Sequence, residues 1–152
     1  MTIITKLFGK VEVDENKIIL FSQGIIGFPE LKRFMLIHDS ESNGNIRWLQ
    51  SIEEPAFAMP VIDPLHIMPE YNPNIEDELL KPLGTLDENN MLVLVTITVP
   101  KDIEKMSVNL RAPIIICGDN YKACQVITDD EQYVVKYPIY NLLKELKEKA
   151  GE

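Results

Sequence analysis

Val108-Asn109-Leu110-Arg111-Ala112-Pro113-Ile114-Ile115-Ile116 is the stretch on which the reading of this chain turns. Val108, Leu110, Ala112 and Ile114 alternate with Asn109, Arg111 and Pro113, the period of two in which successive side chains leave opposite faces of a strand. One face is expected to be buried, and the other to present an amide and a guanidinium ahead of the apolar run Ile114–Ile116. Pro113 has no N–H to give to a ladder, which points to an edge or a bulge there. The whole run from Val108 to Cys117 reads as one strand.

Working outward, similar short or alternating apolar runs recur at Ile3–Phe8, Lys17–Phe21, Arg33–His38, Ile46–Leu49, Ala56–Ile62, Met91–Val99, Ala123–Ile127 and Gln132–Val135. Each is bounded by residues that hydrogen-bond locally or tolerate positive φ: Asp14–Asn16, Ser40–Asn45, Asp87–Asn90, Gly118–Asn120 and Thr128–Glu131, with hairpins expected at the last three. Between Asp63 and Gly84, Pro64, Pro69, Pro73 and Pro82 exclude a long strand or helix. A short helix near residues 75–81 fits there, with Asn74 as its cap and Asp77 three residues on. After Pro138, Ile139, Leu142, Leu143, Leu146 and Ala150 fall on one stripe and Glu145 and Lys149 form an i,i+4 pair, so residues 139–150 read as an amphipathic helix. The expected fold is mainly β: a single-domain, antiparallel β-barrel-like unit over residues 1–152, with a short helix and a C-terminal one.

Composition narrows the function. Ten prolines against seven glycines describe an ordered, turn-rich globule. With 24 acidic and 15 basic residues, the net charge of −9 repels phosphate backbones, so direct nucleic-acid binding lacks its usual electrostatic driving force. The same charge favours encounter with a basic protein partner. Cys117 and Cys124 match neither a secreted disulfide framework nor a CxxC metal site, and two buried thiols in a reducing cytoplasm are expected. With a turn at Gly118–Asn120, Cys117 would lie opposite Tyr121 and Cys124 opposite Ile114. The N-terminal residues offer no continuous apolar segment for a signal peptide, and the apolar strip near Met91–Val99 is half a membrane span. A cytoplasmic protein without membrane association is the expectation.

Motifs for chemistry are missing: no GxGxxG, GxxxxGK[ST], GxSxG, HExxH or EF-hand loop occurs. His38 and His66 have no cluster of Asp, Glu or Cys around them in sequence, so they read as structural or solvent-facing, and neither metal nor cofactor is expected. His38-Asp39-Ser40 contains the residue types of a hydrolytic triad, but neighbours on a strand do not converge, and a strand end entering a turn is the reading. Glu53–Glu54 and Glu76–Glu78 read as solvated faces rather than acid/base pairs.

Several residues carry two readings side by side. Phe28 and Tyr71 sit in Gly- or Pro-rich loops, where an aromatic ring either caps the core or anchors a partner. Gln50 shares a strand face with Trp48, so its amide is expected beside the indole at the surface. Asp63 suits an Asx-type turn before Pro64. Asn109 and Arg111 either satisfy local carbonyls and acids or mark an exposed strand that docks a partner.

Four patches then stand in a distinctive order: Phe21-Ser22-Gln23-Gly24-Ile25-Ile26-Gly27-Phe28; Leu49-Gln50-Ser51 with Pro55-Ala56-Phe57-Ala58; Val61-Ile62-Asp63-Pro64 leading to Pro69-Glu70-Tyr71; and Val108-Asn109-Leu110-Arg111-Ala112-Pro113-Ile114 followed by Gln125-Val126-Ile127. In order and spacing they resemble the FliW family of flagellar assembly factors. The resemblance implies a cytoplasmic, non-enzymatic regulator of β-barrel-like fold that binds flagellin and, once flagellin is exported, binds and antagonises the translational regulator CsrA. Repression of flagellin synthesis is thereby relieved. It also implies helical terminal segments on the partners, hence a helix-in-groove mode, with Phe28, Gln50, Asp63, Tyr71, Asn109 and Arg111 as candidate partner-binding residues. A barrel that binds a small molecule or hydrolyses one is the alternative, motivated by the aromatic residues and carboxylate pairs.

Overall fold

A computed structural model describes residues 1–38 and 46–150, with side chains up to residue 146. The turn expected at Ser40–Asn45, and Asp39 and Ser40 of the His38 triplet, lie outside the described residues, as do the side chains of Lys149 and Ala150.

The chain opens with a hairpin of β1 (Thr2–Thr5) and β2 (Gly9–Glu12), where a single strand to Phe8 was expected. Thr5 ends the strand: its hydroxyl accepts from Phe8 N–H and donates to the Gly9 carbonyl, and Gly9 takes φ +65. After a 3-10 turn capped by Asp14 come β3 (Ile19–Phe21), β4 (Arg33–His38), β5 (Ile46–Ser51) and β6 (Ala58–Ile62). These pair antiparallel in sequence order. The irregular Pro-rich stretch follows, with α1 (Asp77–Leu80), then β7 (Met91–Thr98), β8 (Ser107–Val108), β9 (Ile114–Cys117), β10 (Lys122–Gln125), β11 (Tyr137–Pro138) and α2 (Tyr140–Ala150).

Strand β6 pairs with β7, β7 with β9, and β9 with β10, all antiparallel. A parallel pairing of β10 with β3 then closes a seven-strand barrel. Alternation sorts its side chains. Phe21, Phe34, Leu49, Val61, Leu94, Ile114 and Ile116 point inward and fill the lumen. Truncating Leu49, which is fully buried, would cost ~2–5 kcal/mol. The barrel is thus a packed core and not a ligand chamber.

The same strands also bury part of their outer surface, which is why β7 and β9 are apolar on both faces. Ile62, Val95 and Ile97 are covered by Ile67, Tyr71, Tyr133 and Ile139, with Leu142 and Leu143 of α2 beside them. Ile115 and Cys117 are covered by Leu83 and Val126, with Ile75 and Leu80 alongside.

Several expectations need correction. The run Val108–Cys117 is two strands separated by a bend. Asn109 Oδ1 accepts from the N–H groups of Arg111 (3.0 Å) and Ala112 (3.1 Å), folding the backbone back on itself, and Pro113 contributes no ladder donor. The residues expected to be buried, Val108, Leu110, Ala112 and Ile114, are buried nonetheless. Gln132–Val135 is irregular, and β8 is paired instead by Tyr137–Pro138. Asn74 does not cap α1, which starts after Glu76; its carbonyl accepts from the Thr128 hydroxyl at 2.7 Å. Asp87–Asn90 is a turn that launches β7, and Thr128–Glu131 belongs to a loop, so of these three turns only Gly118–Asn120 serves a hairpin. There the register is one residue longer than expected, because Tyr121 adopts φ 59: Cys124 faces Ile115, not Ile114. Both cysteines are free, Cys117 buried and Cys124 half-buried, with burial pushing the Cys124 thiol up to about 11.

Candidate functional site

The two outer hydrophobic layers are separate clusters that share Val93. Between them an open groove of about 500 Å³ runs over the outside of β7 and β9. Val93 and Ile115 belong to its floor, and Pro64, Leu65, Tyr71 and Leu80 stand in its walls. Leu65 and Met91, which also line it, are 54% and 40% exposed, high values for large apolar side chains flanking a concavity. Asp63 and Glu88 bring carboxylates to the lining, and Glu70, Glu76, Asp77 and Glu78 lie exposed on the adjoining segment. An apolar trough with acidic surroundings is suited to an amphipathic segment with basic flanks.

The wall is built by local rules. Asp63 Oδ1 accepts from Leu65 N–H at 2.9 Å, and Pro64 occupies the first position of the 3-10 turn that follows, as the Asx reading required. Tyr71 is buried: its hydroxyl donates to the Leu110 carbonyl at 2.6 Å, and its ring packs on Tyr133 with centroids 4.7 Å apart. The Tyr133 oxygen in turn accepts from Asn72 N–H at 2.9 Å. Burial, with the nearby Tyr133 adding to it, holds the Tyr71 phenol above the ordinary tyrosine range. Tyr71 therefore acts as a strut that fixes the wall.

Of the six candidate residues, Asp63 and Tyr71 line the groove, and Asn109 and Arg111 lie in the bend that Tyr71 grips. Asn109's side-chain oxygen is committed to that bend, while the half-buried Arg111 guanidinium forms no ion pair among the described residues. Phe28 is elsewhere, at the end of the barrel formed by the β3–β4 and β5–β6 connections. It is 42% exposed, and its ring lies 4.7 Å from that of Phe57. Gln50 overturns its expectation. It is wholly buried, and Nε2 donates to the carbonyls of Ser51, Pro55 and Phe57 at 2.9 to 3.1 Å, holding the β5–β6 turn rather than meeting solvent. Trp48 contacts Phe8 of the N-terminal hairpin, with ring centroids 5.7 Å apart.

The groove floor escaped the sequence reading although its signal was present. Val93 and Ile115 are the off-phase positions of strands apolar on both faces, which signifies a second buried layer or an uncovered one. Among the described residues, no group of His, Cys, Asp and Glu is arranged to hold a metal ion, and no helix is long and apolar enough to cross a membrane. The C-terminal helix lies against Ile103–Lys105 and the β8–β11 side, and none of its described residues lines the groove.

Comparison with known proteins gives a consistent result. The family model described as "FliW protein" matches residues 2–139. The chain is 46% identical over 155 residues to the "Flagellar assembly factor FliW" of Lachnoclostridium phytofermentans, covering 100% of this chain and 99% of that relative. It is 48% identical over 147 residues to the protein of the same name from Lachnospira eligens, covering 95% and 97%. A solved structure, "Crystal structure of the flagellar assembly factor FliW", superposes with a TM-score of 0.84 at 32% identity, over 91% of this chain and 96% of that one.

Proposed function

This chain belongs to the FliW family, and from that premise we propose that it is a cytoplasmic, non-catalytic flagellar assembly factor that holds flagellin and, when flagellin is absent, holds and antagonises the translational regulator CsrA. The observation that carries the reading is the groove of about 500 Å³ on β7 and β9, which no described part of the chain fills. A helix laid there would bury the exposed faces of Leu65 and Met91 on an apolar floor, with basic flanking residues facing Asp63, Glu88 and the neighbouring acids. The net charge of −9 supports a basic protein partner and opposes direct binding of RNA.

Co-elution of the purified chain with flagellin, and separately with CsrA, tests this. Two discrete complexes, each weakened by the other partner and by rising salt, are expected. If neither partner co-elutes at micromolar concentration and low salt, the reading fails.

A further inference from the structure

Four consecutive carbonyls of the bend after Asn109 are each taken by a donor from elsewhere. Leu110 O accepts from the Tyr71 hydroxyl (2.6 Å), Arg111 O from Thr128 N–H (2.9 Å), Ala112 O from Gln125 Nε2 (3.1 Å) and Pro113 O from Val126 N–H (3.1 Å). Three of these donors reach further. Tyr71 stands in the groove wall, and the Thr128 hydroxyl donates to Asn74 O of that same wall at 2.7 Å. Gln125 faces the other way: its Oε1 accepts from Ile26 N–H at 2.9 Å.

Ile26 is the tip of a tight turn. Ile25 and Phe28 bond each other's backbones across it, and Gly24 and Gly27 take φ +69 and +89. The turn exposes Ile26 by 50% and Phe28 by 42%, apolar side chains held out rather than folded away. Thr128 and Tyr71 are themselves 1% and 7% exposed, so the links on the groove side compete little with water.

We propose that the groove wall and the Ile26–Phe28 turn are mechanically coupled through the Asn109–Pro113 bend, so that an occupant that shifts the wall alters how Ile26 and Phe28 are presented at the end of the barrel. The bend is the shared element whose position both sites bias, the physical requirement for communication between them. One bound partner would then change the chain's hold on another that contacts the barrel end, without the two sharing a surface. This consequence rests on the groove being the docking site proposed above; the coupling itself does not.

The test uses the full chain alone and reads amide hydrogen exchange by NMR. Tyr71→Phe keeps the ring and removes the donor to Leu110, and Thr128→Val removes the donor to Asn74. Each is expected to speed exchange of the Ile26 amide about fivefold, the effect of loosening one hydrogen-bonded contact, with the β4–β5 ladder unchanged. Reciprocally, Gln125→Leu is expected to speed exchange of the Asn72 amide. If Tyr71→Phe fails to fold, Tyr133→Phe carries the same readout. Unchanged exchange at Ile26 in the groove-side variants overturns the coupling, and so does equal acceleration at every amide, which is general loss of stability. Because no partner is present, failure here leaves the co-elution result standing.

Discussion

The Tyr71 hydroxyl and the Leu110 carbonyl oxygen, 39 residues apart in sequence, are joined by a buried hydrogen bond of 2.6 Å. Tyr71→Phe leaves that carbonyl without its donor in a buried position and is expected to lower stability by ~1–2 kcal/mol, read as a fall in the urea midpoint at unchanged slope. The pH dependence has a fixed sign. Burial raises the folded phenol above the ordinary value of 10.0, so above that pH the folded chain retains a proton the unfolded chain gives up. The stabilisation from this group is complete below pH 10 and declines as pH rises beyond it. Tyr71→Phe should flatten that alkaline decline, and an equally steep decline in the variant would refute the assignment.

Gln50 offers a sharper structural test, since its amide nitrogen serves three carbonyls of the β5–β6 turn. Gln50→Leu preserves bulk but removes a donor from all three; Phe57 O and Pro55 O keep the backbone N–H groups of Ser51 and Lys6, and a loss of roughly 1–3 kcal/mol in chemical denaturation is expected. Partner affinity measured on the folded fraction should be unaltered. A variant of normal stability with weakened binding would restore Gln50 to the docking surface.

The glycines of the barrel-end turn are not equivalent. A Cβ on Gly24 would meet the Pro29 carbonyl oxygen at 2.4 Å, whereas one on Gly27 meets nothing within 4 Å. Gly27→Ala therefore carries only the positive-φ penalty of ~1 kcal/mol. Gly24→Ala adds a backbone clash and should cost roughly 2–4 kcal/mol or prevent folding. Thermal denaturation of the pair decides it, and equal effects would contradict the geometry.

Met91, 40% exposed at the groove, separates fold from docking. Met91→Glu should change stability by less than ~0.5 kcal/mol, since the position is open to water. It should weaken the proposed binding of flagellin and of CsrA by about tenfold or more, because a carboxylate there opposes burial of an apolar helix face beside Asp63 and Glu88. Isothermal titration with each partner is the measurement, and unchanged affinities would remove the groove from the interface.

Much of the fold was legible in local pattern. Arg33–His38 is β4 as expected, and Met91–Val99 differs from β7 by one residue, because period-two alternation reports strand formation directly. The failures arose where side chains override that pattern. Asn109 bends a strand whose hydrophobic alternation is faultless, and Tyr121 adds a residue to a hairpin by taking φ 59. The candidate site was half legible: Asp63 and Tyr71 were singled out, but the groove floor depends on which face of β7 and β9 lacks a cover, a fact that exists only after the chain has folded.

Ring closure by β3 and β10 has a consequence for how the protein is made. Leu20 pairs with Lys122 across about a hundred residues of chain, a non-local contact of the kind that slows folding. As the polypeptide emerges, the meander from β3 to β6 can assemble while β3 has no partner on its other side, leaving a row of unpaired amides along an apolar sheet. Until β10 is free to pair, the growing chain keeps that edge open, and Leu20, 41% exposed even in the finished barrel, lies on it.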